Sequence, residues 1–209
     1  MLPQSIIDYA EAHTTPTSPL LKKLERETWV KRLHAGMVSG GYQGQFLRML
    51  SQMIRPKRIL EIGTFTGYSA LCLAEGLPED GLLHTIEINE ELETPIQKYI
   101  DAAGLADKIQ LHIGNALELV PTIDEQFDLV FIDADKINYS RYYDLIFDKV
   151  KTGGYILADN VLWFGKVTEK KQDEDTAALH AFNEKIQNDS RVENVMLTLR
   201  DGLSLIRKI

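Results

Sequence analysis

From about residue 58 onward, short apolar runs alternate with stretches of helical periodicity. That alternation constrains the fold more than any other feature of the chain. The runs are Arg58–Ile62, Leu82–Ile88, Lys108–Ile113, Phe127–Ile132 and Tyr155–Ala158. Between them lie Tyr68–Glu75, Glu90–Ala103, Leu117–Val120 and Tyr139–Val150, which read as helices. Strands joined through helices form βαβ units, whose crossovers make the strands parallel and cover both faces of the sheet. The tail breaks the pattern. Val192–Leu199 and Leu203–Ile209 flank Arg200-Asp201-Gly202, and Asp-Gly is a hairpin signal. The sheet is therefore expected to end in an antiparallel pair, after a helix near Thr176–Asn188. Ahead of residue 58, Ser18-Pro19 marks a helix start, with Leu20, Leu21, Leu24 and Leu33 behind it at helical spacing. A further helix is expected from about Gln43 to Ile54, ending before Pro56.

The expectation is one α/β domain over residues 1–209, with N-terminal helices in 1–55 and a core in 56–209. A chain of 209 residues with 44% apolar content can bury such a core. A net charge of −8 disfavours a broad phosphate-binding surface or an anionic membrane as partner. No apolar run is long enough for a signal peptide or a membrane span, so a cytoplasmic protein is expected. The one cysteine, Cys72, has no partner for an internal disulfide and reads as a buried helix residue.

The polar residues that stand out all follow expected strands: Glu61 and Gly63, Glu87, Asn115, Asp133, and Asp159-Asn160. In open parallel sheets ligands bind at the carboxyl ends of strands, so these residues point at one crevice. The first of these segments, Glu61-Ile62-Gly63-Thr64-Phe65-Thr66-Gly67-Tyr68-Ser69, is a glycine loop opening a helix. A mononucleotide P-loop needs Lys and Ser/Thr after its last glycine, and Gly67 is followed by Tyr68. A dinucleotide loop needs a glycine where Phe65 stands, so that pyrophosphate can reach the backbone. A cofactor without phosphates fits better. Glu87, 20 residues past Gly67, is placed to accept from ribose hydroxyls, which suggests a nucleoside carrying an amino acid. A glycine turn beside a solvated glutamate is the plainer alternative.

Asp133, Asp159 and Asn160 offer two carboxylates and an amide oxygen at neighbouring strand ends. Such a set suits Mg²⁺, Mn²⁺ or Ca²⁺ rather than zinc. A cation would also relieve repulsion between the two aspartates. Helix capping or turn formation is the commoner role for each aspartate alone. Lys136, three residues after Asp133, is a candidate general base beside a metal or else an exposed loop lysine. Trp163 is either a wall for a flat substrate or a core residue.

These residues resemble the cation-dependent O-methyltransferase family that includes the catechol and caffeoyl-CoA O-methyltransferases. The resemblance is collinear from about Met37 to Gly202. It rests on Gly44-Gln45-Phe46-Leu47, Glu61–Ser69, Phe131–Lys136 with Asn138-Tyr139, Gly153-Gly154-Tyr155, Asp159-Asn160 with Trp163, and Asp201-Gly202. It implies a Rossmann-like, mostly parallel seven-stranded sheet with an antiparallel last strand. It implies S-adenosylmethionine in the crevice, with Met37 and Ser69 at the methionine end, Gly63 at the turn, Glu87 on the ribose and Asn115-Ala116 by the adenine. Ser39, Glu61, Phe65, Tyr68 and Asp133 complete the implied cofactor contacts. Asp133, Asp159 and Asn160 would hold the cation, and Lys136, Asn160 and Trp163 would meet the substrate, with Lys136 as base. The expected substrate is a small ortho-dihydroxy phenol. A homodimer is implied, the N-terminal helices forming a lid or the dimer contact. Two features depart from the pattern: Glu87 stands where Asp is usual, and the long insertions of plant CoA-dependent members are not evident. Alternatives from the sequence are methylation of a hydroxylated uridine in tRNA, a phosphohydrolase built on Asp133-x-Asp135, and a ligand-binding protein without catalysis.

Overall fold

The computed structural model describes residues 3–209. Seven strands form one sheet in the order β3-β2-β1-β4-β5-β7-β6. They are β1 (Arg58–Ile62), β2 (Leu82–Glu87), β3 (Ile109–Ile113), β4 (Phe127–Ile132), β5 (Val150–Asp159), β6 (Val192–Leu197) and β7 (Leu203–Lys208). The first five are parallel, and β7 lies antiparallel between β5 and β6. The expected Rossmann-like sheet and its antiparallel close are both present. The chain winds outward from β1 to β3, then returns to the other side of β1 to lay down β4. The gap between β1 and β4 is thus the topological switch point, where a crevice opens.

The strands read as near-continuous apolar runs because both sheet faces are covered. Leu60, Ile62, Val130, Ile132, Ile156 and Ile206 point into one core. Ile59, Leu83, Leu129, Phe131, Leu157 and Leu203 point into the other. The first core is closed by α6 (Ala116–Leu119), α7 (Tyr139–Phe147) and α8 (Glu174–Gln187). The second is closed by α2 (Pro19–Lys31), α3 (Gly40–Ile54), α4 (Tyr68–Ala74) and α5 (Glu93–Ala102). The helix starts obey capping chemistry. Ser18 Oγ accepts from the Leu21 N–H at the head of α2, and Asp173 accepts from the Thr176 N–H at the head of α8. The remaining helix, α1 (Gln4–Ala12), buries none of its residues. Cys72 is buried in α4 without a disulfide partner.

The largest departures from the expected boundaries lie around β5. The helix expected over Tyr139–Val150 stops at Phe147, and β5 starts at Val150 instead of Tyr155. Val150 pairs with Phe127, but the next paired residues are Leu129 and Tyr155. The extra residues bulge through Gly153, whose φ is +83°. The glycine pair Gly153-Gly154 is accommodated as a bulge inside a strand. Leu33 also falls outside its expected helix, which ends at Lys31, and is 86% exposed. Among the described residues no helix is long and apolar enough to cross a membrane.

Candidate active site

The parallel register brings the strand ends level. Ile62 pairs with Ile86 on one side and Ile132 on the other, and Ile132 pairs with Ala158. The residues that follow, Gly63, Glu87, Asp133 and Asp159, therefore line up along one rim. Gly63 is required there. Its φ is +99°, and a Cβ would sit 2.2 Å from the Asp133 carbonyl oxygen. Any side chain would force β1 and β4 apart at the switch point.

The loop beyond Gly63 is pinned to β2. The Phe65 N–H donates to Glu87 Oε2 at 2.7 Å, and the Asn89 N–H donates to Glu87 Oε1 at 2.9 Å. Glu87 is 7% exposed. Glu61 is fully buried, with Oε2 accepting from the Thr85 hydroxyl and Oε1 without a partner. Burial pushes its carboxyl from the ordinary 4.5 up to about 8, against the hydroxyls of Ser69 and Thr85, while Asp133 and Glu87 add repulsion. An orphaned carboxyl oxygen below the glycine loop fits a ligand that carries an amino group. Ser69 is buried beside it at the start of α4. Tyr68 packs inward, where a Cβ on Gly44 would lie 2.5 Å from its ring. Asn115 caps α6, its Oδ1 accepting from the Leu117 N–H, and Ala116 is buried. Met37 is exposed and Ser39 buried, both just before α3.

Glu61 yields a stability prediction. Its folded value lies above its unfolded value, so the folded state keeps a proton that the unfolded chain releases. The stability from that neutral carboxyl is whole below about pH 4.5 and drains away as pH rises towards 8. Glu61→Gln fixes the neutral form. In the cofactor-free protein its melting temperature should match wild type near pH 5 and exceed it by several degrees at pH 8.5. Parallel melting curves for the two proteins across that range would show that Glu61 carries no such penalty.

Beyond β4 and β5 the side chains knit into one network. Lys136 Nζ donates to Asp133 Oδ1 at 3.1 Å and to the Tyr139 hydroxyl at 2.8 Å. The Tyr139 hydroxyl donates to the Asp159 carbonyl at 2.9 Å. Gln43 Nε2 donates to Asp159 Oδ2 at 2.6 Å, and the Asn160 N–H donates to Oδ1 at 2.8 Å. Arg200 in turn donates to Gln43 Oε1 and to the carbonyls of Val38 and Ser39. The Lys136 side chain is only 10% exposed, so it is not a free surface lysine. Burial raises both aspartates above the usual carboxylate range. Asp159 pushes Asp133 further up, while Lys136 pulls both down. Two carboxylates that resist ionising together, beside an amide and without sulfur or imidazole, suit a hard divalent cation. No group of three His, Cys, Asp or Glu side chains with metal-site geometry occurs among the described residues. The candidate set therefore depends on the Asn160 amide as its third donor.

The loop after β5 is tightly coiled. Asn160, Trp163, Phe164 and Gly165 all have positive φ. Asp201 holds this loop by accepting from the Phe164 N–H, and Gly202 lets it approach, since a Cβ there would meet Leu162 at 2.4 Å. Trp163 is half-buried, with Lys136 Nζ 5.8 Å from its ring centre. It packs partly on the core and partly beside the lysine. Phe164 is exposed.

Gln43, Tyr139, Arg200 and Asp201 join the site without having been singled out by chemistry in the sequence. Asn138-Tyr139 and Asp201-Gly202 carried the resemblance, which was the available signal for Tyr139 and Asp201. For Gln43 and Arg200 the deciding contacts span 157 residues or more, apart from the shorter link from Gln43 to Asp159.

The O-methyltransferase family model matches residues 11–209. The chain belongs to that family. Membership makes it an S-adenosylmethionine-dependent O-methyltransferase. Caffeoyl-CoA O-methyltransferase 1 of Eucalyptus globulus is 37% identical, covering 95% of this chain and 86% of the relative. Caffeoyl-CoA O-methyltransferase 1 of Nicotiana tabacum is 36% identical, covering 95% and 89%. Among solved structures, an SAH-bound methyltransferase of Podospora anserina superposes with a TM-score of 0.91 at 27% identity, covering 100% of this chain and 98% of that one. An O-methyltransferase of Bacillus cereus in complex with SAH gives 0.90 at 29% identity, covering 98% and 97%. SAH is S-adenosylhomocysteine, the product left when the cofactor has given up its methyl.

Proposed function

We propose that this methyltransferase methylates one hydroxyl of a small ortho-dihydroxy aromatic, with Asp133, Asp159 and Asn160 holding a divalent cation and Lys136 acting as base. The observation that carries the reading is the position of Lys136. Its amine is largely buried, bonded to one candidate ligand and linked through Tyr139 to the backbone of the other. A bound cation supplies positive charge that offsets the two carboxylates and favours ionisation of a hydroxyl beside it.

The chain's own residues divide the work. Lys136 takes the proton from the hydroxyl that will be methylated. Trp163 offers a face against which a flat ring can lie. Glu61, Gly63, Phe65, Ser69 and Glu87, with Met37, Ser39, Tyr68, Asn115, Ala116 and Asp133, form the cofactor side of the crevice. The fixed rim sets the substrate oxygen in line with the methyl group, and no covalent enzyme intermediate is required. The N-terminal helices serve as a lid or a dimer contact, for which Trp29 and Val30 on α2 offer exposed apolar side chains.

The proposed substrate is a compact catechol in preference to a CoA thioester, a choice supported by the shorter chain. The alignment with the Eucalyptus globulus enzyme runs over 218 positions, more than the 209 residues of this chain. That relative therefore has residues inside the aligned stretch that are missing here. The phosphohydrolase alternative loses ground because Asp135 is engaged by the hydroxyl of Tyr142 and the amide of Asn138.

The test is methyl transfer from labelled S-adenosylmethionine to catechols, flavonoids, caffeoyl-CoA, and unmodified or hydroxylated tRNA. A catechol should react far faster than its monohydroxy analogue, because the second hydroxyl anchors the ring. Equal rates for the two would remove the vicinal requirement. Labelling confined to hydroxylated tRNA would replace the small phenol with a nucleic acid substrate.

A further inference from the structure

Three hydrogen bonds of Arg200 come from one nitrogen. Nη1 donates to the Ser39 carbonyl, to the Val38 carbonyl at 3.2 Å and to Gln43 Oε1 at 3.1 Å. Gln43 is 1% exposed, and its Nε2 donates to Asp159 Oδ2 at 2.6 Å. An amide oxygen only accepts and an amide nitrogen only donates. A donor on Oε1 and a carboxylate at Nε2 therefore favour the same orientation of the Gln43 amide and hold it from both ends. Without the Arg200 donor, the amide is held from one end only, by its bond to Asp159, and the side chain is less firmly fixed against the carboxylate. Asp159 Oδ1 is held by the Asn160 N–H, so the carboxylate is oriented from both oxygens. Each oxygen receives one hydrogen bond from within the protein, which leaves lone-pair capacity for a cation. Arg200 also has a φ of +48°, a left-handed conformation that glycine adopts more readily. The arginine side chain thus sits at a turn position where the backbone would favour its absence.

We infer that Gln43 and Arg200 are positioning residues for Asp159, Gln43 orienting its carboxylate directly and Arg200 acting through Gln43. The inference rests on the cation reading above. Side chains that orient metal ligands commonly change metal affinity by about 10- to 100-fold when removed, and the effect here should fall on cation binding more than on the rate of the loaded enzyme.

The experiment titrates Mn²⁺ into the purified full-length chain and follows free Mn²⁺ by electron paramagnetic resonance. Wild type is compared with Gln43→Met, Arg200→Gly and Arg200→Lys. Arg200→Gly suits the left-handed backbone, so it removes the side chain without straining the turn. Arg200→Lys retains a cationic donor able to replace a single nitrogen. Gln43→Met and Arg200→Gly should each weaken Mn²⁺ binding by about tenfold or more. Arg200→Lys should recover most of that loss. If Gln43→Met does not fold, Arg200→Gly against Arg200→Lys still decides the matter. Wild-type Mn²⁺ affinity in Arg200→Gly overturns the inference while leaving the cation reading intact. Weakening in Arg200→Gly but not in a folded Gln43→Met overturns the route through Gln43. Absence of Mn²⁺ binding to wild type overturns the cation reading and this inference together.

Discussion

Asp159→Ala should leave a folded protein with methyl transfer reduced on the order of a thousandfold, the size expected when several kcal/mol of charge stabilisation are lost. Asp159 lies at the end of β5 and is 2% exposed. Burial opposes its ionised form, and Asp133 repels it. The carboxylate is therefore a poor choice for stability alone, and removing it relieves that repulsion while leaving Gln43 Nε2 without its acceptor. The two effects oppose each other, so the melting temperature should move by only a few degrees. Exhaustive chelation of wild type with EDTA should reproduce the loss, and Mg²⁺ or Mn²⁺ should restore it. The comparison needs rates, melting curves and metal analysis on the same samples. Full activity with a demonstrably empty site would remove the cation from the mechanism.

The sheet was legible because its strands carry their own signature. Arg58–Ile62 and Phe127–Ile132 are buried on both faces and sit between loops, so the apolar run and the observed strand coincide. The turn at Asp201-Gly202 was legible for the same local reason. Gly202 has a φ of +90° and lies against Leu162, where no side chain fits. Val150 was not legible as strand. It follows the end of α7 after a two-residue turn, and its pairing with Phe127 is separated from the next pair by the bulge at Gly153. Nothing in the local spacing distinguishes a bulge from a break.

The candidate site divides in the same way. Gly63, Glu87, Asp133 and Asp159 each end a parallel strand, and parallel register alone is enough to gather strand ends on one rim. Gln43 and Arg200 lie on a helix and a hairpin far apart in the chain. Their meeting depends on how α3 lies over the sheet, which hydrophobic periodicity does not specify. Tyr139 reads as the first apolar residue of a helix, and it is indeed fully buried. Its hydroxyl, however, is the atom that joins Lys136 to the backbone of Asp159. Burial patterns identify the ring and are silent about the oxygen at its end.

Lys136→Ala should lower turnover on a catechol by about a hundredfold or more, the usual range for a positioned base. Cofactor affinity should change far less, because Asp133 is the one cofactor-side residue to which the amine hydrogen-bonds. The variant tests position as well as chemistry. A lysine that served only to neutralise Asp133 would be replaceable by Lys136→Arg, which keeps the charge but cannot readily give up a proton. A base is not replaceable in that way, so Lys136→Arg should be nearly as slow as Lys136→Ala. Initial rates for the three proteins, measured across pH on a catechol and its monohydroxy analogue, separate the two roles. Recovery of activity in Lys136→Arg would reduce the lysine to a counter-ion. Rates for Lys136→Ala equal to wild type at every pH would show that the proton leaves by another route.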